Sequence, residues 1–291
     1  MVNTKQYQYF KYQADGNDML VIDPAYFALD LNPARIRQLC DRHFGIGADG
    51  ICYGPLPGFG SELHMRFLNP DGSEAEKSGN GLRCFGRYVW DAGLVPEADF
   101  NIYIGEHTIS TRIMNENGTR IRQAIGQLKF DAESIPMLDY EGEMINRELI
   151  IAGHPLVIRA VNIGNPHCVI VSPPLDVALL KEIGPLVEHA ACFPQRTNVQ
   201  MLKIIDRHNI QIEIWERGAG YTLASGTSSS ACAGAAVRGG DCDSPVTIHM
   251  AGGSAQVELD EQYNVFLTGK VNSVMQGTLS RDLATSLEAQ G

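Results

Sequence analysis

Two periodicities alternate along the chain. Period-two alternation is clearest in ELHMRFLN (62–69), where Leu63, Met65 and Phe67 fall on one face and His64 and Arg66 on the other, the pattern of a half-buried strand. Comparable strand-like runs occupy 8–13, 19–23, 51–54, 100–105, 108–113, 119–125, 156–164, 196–205, 210–215, 245–250, 255–260 and 263–271. From Gly79 the spacing changes to Leu82, Phe85 and Val89, a helix with one apolar stripe that Gly93 and Pro96 stop. Arg83 and Arg87 fall on its outer side and are expected in solvent or at an interdomain surface. Asn32 followed by Pro33 is a paired start signal for a second helix running towards Phe44. A third helical period covers 175–191, with a break expected at Gly184-Pro185. SSSACAGAAV (228–237) consists almost wholly of small residues, so neighbouring strands can approach its backbone as a sheet wrapped around a helix requires. Gly239-Gly240 ends it, and Ser280 opens a short terminal helix.

One arrangement occurs twice. Residues 69–90 and 216–237 each follow a strand-like run, pass through a polar loop and open a helix with Ser78-Gly79-Asn80 or Ser225-Gly226-Thr227. The first N–H groups of a helix lack partners within it, and its dipole puts roughly half a positive charge there. Either serine alone reads as an ordinary N-cap. The repetition favours a shared carboxylate site, with the two caps facing each other across a cleft. It also predicts two domains of near-equal size, divided near Gly126.

Composition narrows the partners. A net charge of −11 and a pI near 5.2 disfavour nucleic acid and anionic membranes, and no apolar run reaches the ~20 residues that span a bilayer. The N-terminus lacks a signal-peptide core, which places the protein in the cytoplasm. Seven scattered cysteines without a Cys-x-x-Cys pair read as reduced thiols, and neither metal nor cofactor is expected. GIGADG (45–50) matches G-x-G-x-x-G, but that fingerprint needs a strand before it and a helix after it. Here a helix precedes and a strand follows. A small-molecule substrate fits best.

The blocks GNDMLVID (16–23), GIGADG, NPDGSEAEKSGNGLRC (69–84), GNPHCVIV (164–171) and ERGAGYTLASGT (216–227) together resemble the diaminopimelate epimerases. The resemblance implies an α+β fold of two pseudo-symmetric domains, each a mostly antiparallel sheet or barrel wrapped around a central helix. It assigns 1–125 plus about 272–291 to the first domain and 126–271 to the second. The activity implied is cofactor-free epimerisation at an amino-acid α-carbon, L,L- to meso-diaminopimelate in the family's lysine-producing role. One thiolate takes the α-proton while a thiol on the opposite face delivers another. The resemblance further implies an α-carboxylate held by the N–H groups of Gly79-Asn80 and Gly226-Thr227. Arg217 would hold a distal carboxylate with Asn69, Asn165 and Asn198, Asn17 would touch substrate, and Glu216 would face its ammonium. A homodimer stays open.

In the family the residues before Gly-Asn-Gly and Gly-Thr are cysteines; here they are Ser78 and Ser225. Cys84 and Cys232 lie about 9 and 10 Å further along their helices and cannot substitute. A serine keeps its proton unless a neighbouring base removes it, and the nearest candidates by motif are His167 and Glu216. The sequence leaves three readings: an isomerase with altered or weak activity, an engineered Cys-to-Ser pair, and an amino-acid-binding paralogue without turnover. Natural variation is favoured because neighbouring positions, Lys77 and the serine run 228–230 among them, also differ from the family wording.

Overall fold

The structure, a computed structural model, describes residues 7–75, 78–151, 153–172 and 174–290. In chain order the elements are β1 (Gln8–Ala14), β2 (Asn17–Ile22), α1 (Pro33–Cys40), β3 (Gly50–Tyr53), β4 (Leu63–Leu68), β5 (Glu74–Ala75), α2 (Gly79–Asp91), β6 (Asp99–Ile104), β7 (His107–Ile113) and β8 (Arg120–Gln127). There follow β9 (Arg147–Ile151), β10 (His154–Asn162), β11 (Pro166–Val171), α3 (Val177–Glu188), β12 (Asn198–Asp206), β13 (Asn209–Glu216), β14 (Gly220–Thr222), α4 (Gly226–Arg238), β15 (Val246–Met250), β16 (Gly253–Leu259), β17 (Asn264–Lys270), β18 (Asn272–Thr278) and α5 (Arg281–Glu288). The chain forms two compact units, Met1–Gln123 with Gly269–Gly291, and Ala124–Thr268.

In the first unit the strands neighbour one another as β18, β1, β2, β3, β4, β6, β7, with β8 following β7. Only β2 with β3 and β4 with β6 run parallel, and each of those crossovers contains a helix. Helix α2 is the centre: Leu82, Cys84, Phe85, Tyr88 and Val89 are buried together with Tyr12, Met19, Met65, Phe67, Ile102 and Ile121. The second unit repeats the scheme as β9, β10, β11, β12, β13, β15, β16, β17, again with two parallel pairs, β11 with β12 and β13 with β15. Its central helix α4 is buried over residues 228–236. Leu128 and Phe130 pack so close to Gly234 that an added Cβ would lie 2.2 Å from Leu128 Cδ1. The run of small residues thus meets the need foreseen for it.

Several local expectations change. The hairpin β1–β2 closes on only Asp15 and Gly16, both at positive φ (53° and 84°), the geometry of a tight primed turn. Helix α1 begins at the Asn32 cap but stops at Cys40, where Asp41 leaves the helix and its carboxylate accepts from the N–H groups of His43 and Phe44. Helix α3 runs unbroken through Pro185. β18 has no counterpart among the predicted strands. Cys84 and Cys232 are fully buried, and burial pushes the Cys84 thiol up to about 12. No helix of the described residues is long and apolar enough to cross a membrane.

Candidate functional site

In the first unit the candidate residues gather at the start of α2. Ser78 is extended and its hydroxyl accepts from Gly81 N at 3.1 Å. The helix's own ladder begins with Leu82 N donating to Ser78 O at 2.8 Å, so the N–H groups of Gly79 and Asn80 precede it. Asn80 is held from two sides: its Nδ2 donates to Asn17 Oδ1 at 3.1 Å, and its Oδ1 accepts from Arg83 Nη2. Asn17 Nδ2 in turn donates to Asp49 Oδ2 at 2.9 Å.

Arg83 does not lie in solvent or at a domain surface as the helical period suggested. It is 1% exposed and its Nη2 donates to Asp15 Oδ2 at 3.0 Å. Burial pushes the Asp15 carboxyl up, against the pull of Arg83 and Lys270. The pair acts as an internal brace: Asp15 lies in the hairpin turn and Asn17 directly after it, and Arg83 ties that turn to the first turn of α2. Asn69 stands apart, with Nδ2 donating to Ser73 Oγ at 3.0 Å. Glu76 and Lys77, the latter singled out in the sequence, lie outside the described residues.

In the second unit the candidate residues gather where β11, β12 and β13 meet the start of α4. Ser225 caps α4 in the same extended conformation, its hydroxyl accepting from Ser228 N at 3.4 Å. Ser229 N to Ser225 O, at 3.0 Å, is the first rung of the ladder and leaves the N–H groups of Gly226 and Thr227 ahead of it. Glu216, at the end of β13, accepts from Thr222 Oγ1 at 3.5 Å, and the Ser225 hydroxyl lies near the same carboxylate. Burial raises its carboxyl above the ordinary glutamate range, and those two hydroxyls pull it partly back. A carboxylate with raised basicity thus stands near one of the two capping serines.

Asn198 is buried and bridges two strand ends, donating to Pro166 O at 2.9 Å and accepting from Arg217 N at 3.0 Å. This fixes the backbone of Arg217, whose exposed guanidinium donates to Gln195 O at 3.0 Å. Glu188 of α3, absent from the sequence expectations, braces the same loop by accepting from Gly218 N at 2.9 Å and Trp215 Nε1 at 2.8 Å. Its position on a helical period gave no sign of a polar role.

His167 was offered by motif as a candidate base. It lies inside the sheet, opposite Val161 of β10 and Asn198 of β12, with no exposed surface. Burial lowers its pKa to about 3, so the imidazole is neutral near pH 7 and too weak a base to take an α-proton. Its Nε2 lies 3.0 Å from Asn165 Oδ1. Gly47 of the GIGADG loop accepts from Lys11 Nζ at 2.7 Å, and Asp49 accepts from Asn17 and Arg42. That loop therefore serves as a brace for Asn17 and the β1–β2 hairpin.

Two doubly pseudo-equivalent units, each presenting a serine-capped helix start, define a fold of the epimerase and racemase type. The family model for diaminopimelate epimerase matches residues 9–130 and 159–274, and the chain belongs to that family. It is 43% identical over 276 residues to diaminopimelate epimerase 2 of Nostoc sp., covering 95% of this chain and 96% of that one. To the diaminopimelate epimerase of Moorella thermoacetica it is 36% identical, with 92% and 97% covered. The crystal structure of a hydroxyproline epimerase from Agrobacterium vitis with bound trans-4-hydroxy-L-proline superposes with a TM-score of 0.65 over 97% of this chain and 94% of that one. At 12% identity this last likeness is one of fold.

Proposed function

We propose that the protein is a cofactor-independent isomerase that inverts the α-carbon of an amino acid, with diaminopimelate the first substrate to test. The observation that carries this reading is a half-buried carboxylate, Glu216, near the Ser225 cap of α4 in a chain of the diaminopimelate epimerase family. Deprotonation at Cα on one face would pass through Ser225 and Glu216, and Ser78 would return a proton on the other face, so that one C–H bond breaks as another forms. The carbanion-like charge would spread into the carboxylate, which the N–H groups of Gly79, Asn80, Gly226 and Thr227 would stabilise. Arg217 would take the distal carboxylate through its planar fork, with Asn69, Asn165 and Asn198 nearby in the motif order. Asn17 would serve by holding Asn80.

Serine makes this a slow catalyst. A cysteine with an ordinary pKa near ~8.5 reaches its anion readily at a helix start, whereas a hydroxyl depends wholly on its neighbour. An acidic protein with a small amino-acid substrate fits a cytoplasmic biosynthetic enzyme and has no use for nucleic acid. The test is α-proton exchange of L,L- and meso-diaminopimelate in D2O, followed by NMR. Slow exchange is expected, rising about 10²-fold or more in a Ser78→Cys, Ser225→Cys double variant. Binding of diaminopimelate without any exchange, in both proteins, would establish a binding paralogue instead.

A further inference from the structure

Beside the second cap the fold buries a polar row that the reaction above does not use. His167, Gln200 and Ser228 all have 0% exposure. Ser228 Oγ lies 3.0 Å from Gln200 Nε2, His167 Nε2 lies 3.0 Å from Asn165 Oδ1, and Gln200, two residues along β12 from His167's partner Asn198, shares the imidazole's face of the sheet. With the amide nitrogen turned to Ser228, two buried atoms, His167 Nδ1 and Gln200 Oε1, have no hydrogen-bond partner. The Ser228 hydroxyl, already accepting from Gln200, then has a hydrogen with no acceptor. Unpartnered groups of this kind are costly in a protein interior.

The oxygen and nitrogen of an amide are distinguished by their partners. Rotating the Gln200 amide by half a turn lets Ser228 O–H donate to Oε1 and lets Nε2–H donate to His167 Nδ1, which satisfies both atoms in one step. His167 must then carry its proton on Nε2 and donate it to Asn165 Oδ1. The opposite tautomer satisfies the imidazole only if Asn165 is reversed, and it leaves the Ser228 hydrogen unused. We propose that Ser228, Gln200, His167 and Asn165 form a one-way donor chain that fixes Asn165 with its amide nitrogen free to donate to a substrate carboxylate. His167 is a positioning residue in this chain, acting through Asn165. The inference rests on the isomerase reading for the identity of the ligand, and its test is separable from that reading.

Two-bond proton–nitrogen correlation spectra of the labelled protein, with the His167 signals assigned by their loss in His167→Gln, read the tautomer directly. The expected result is a neutral imidazole protonated on Nε2 that does not titrate between about pH 5 and 8. Gln200→Glu places an acceptor against Nδ1 and is expected to draw the proton there, reversing Asn165. Ser228→Ala removes the donor that holds Gln200 and is expected to mix the two tautomers. In both variants KM for diaminopimelate should rise about three- to tenfold while kcat changes less than about twofold. A proton on Nδ1 in the unaltered protein, or titration of His167 within that range, overturns the chain. So does an unchanged KM in Gln200→Glu with the tautomer reversed. Absence of α-proton exchange would remove the isomerase reading and leave the spectrum as legible as before.

Discussion

A hydroxyl becomes an acid–base catalyst only through a neighbour that takes its proton, and in the proposed reaction Ser225 relies on Glu216 for this. Because burial raises the Glu216 pKa, its carboxylate persists above a pH higher than the ordinary glutamate value and is lost as pH falls through the raised one. Activity should therefore drop on an acid limb displaced upward from that of a free glutamate, and Glu216→Gln should abolish both the limb and about 10²-fold or more of the exchange rate. A pH–rate profile checks this; an acid limb that survives in Glu216→Gln assigns the titration to another group. The same raised pKa means that ionised Glu216 weakens the fold, so stability contributed by the protonated form is present at low pH and fades as pH rises through the folded value. Ser78 and Ser225 were legible because capping is local: a serine, a glycine and a helical period lie within a few residues. Arg83 was not. Its helical position is visible in the sequence, but Asp15, the partner that makes its burial tolerable, is 68 residues away. The enclosure of His167 was hidden for the same reason, since it comes from β10 and β12 on either side.

Helices and strands were legible where one face is buried and obscure where long-range packing sets the outcome. Gly184-Pro185 looked like a break because proline forfeits a hydrogen bond and glycine is flexible. In α3 the glycine is required by packing: a Cβ there would lie 2.8 Å from Trp215 Cγ. The indole lies over the helix and donates to Glu188, which in turn holds Gly218 beside Arg217. β18 escaped notice because five of its seven residues in succession are exposed, which erases any period of two. Two glycines in helices separate propensity from packing. Gly86 in α2 has room, since a Cβ would meet Thr111 and Ile102 at 3.4 and 3.6 Å, ordinary contact distances. Gly86→Ala should thus stabilise the protein by about 0.5–1 kcal/mol. In Gly184→Ala the same gain is outweighed by displacement of Trp215, and the net effect should be a loss of about 1–3 kcal/mol. Denaturant titrations of the two variants measure the difference; equal signs would mean that the indole yields freely.

At the scale of the molecule, the order of elements makes the first unit depend on the end of the chain while the second is continuous in sequence. β1 is paired on one side with β2 and on the other with β18, so the C-terminal strand completes the sheet that carries the hairpin braced by Asp15 and Asn17. Beyond it, Leu279, Ala284 and Leu287 are buried among Tyr7, Leu20, Ile22 and Leu39, and Leu287 O accepts from Arg35 Nε at 2.9 Å. Burying one leucine contributes about 1.5–3 kcal/mol, a large share of the roughly 5–15 kcal/mol that holds a typical domain together. Removing two leucines, a β-ladder and the partners of Arg35 and Asn32 should exceed what the first unit can lose. The second unit has its own cores, one around α4 with Val161, Leu202, Ile212 and Val257, another around α3 with Ile158, Ile170, Leu180 and Met201. Deletion from Asn272 onward is therefore expected to unfold residues 7–123 selectively, removing the Ser78 cap and with it any α-proton exchange. Hydrogen exchange read by mass spectrometry should show amides of β1–β7 and α2 becoming unprotected while those of β10–β13 and α4 stay slow. Loss of protection across both sets at once would mean that the second unit draws its stability from the first, and that two independent cores do not amount to two independent folding units.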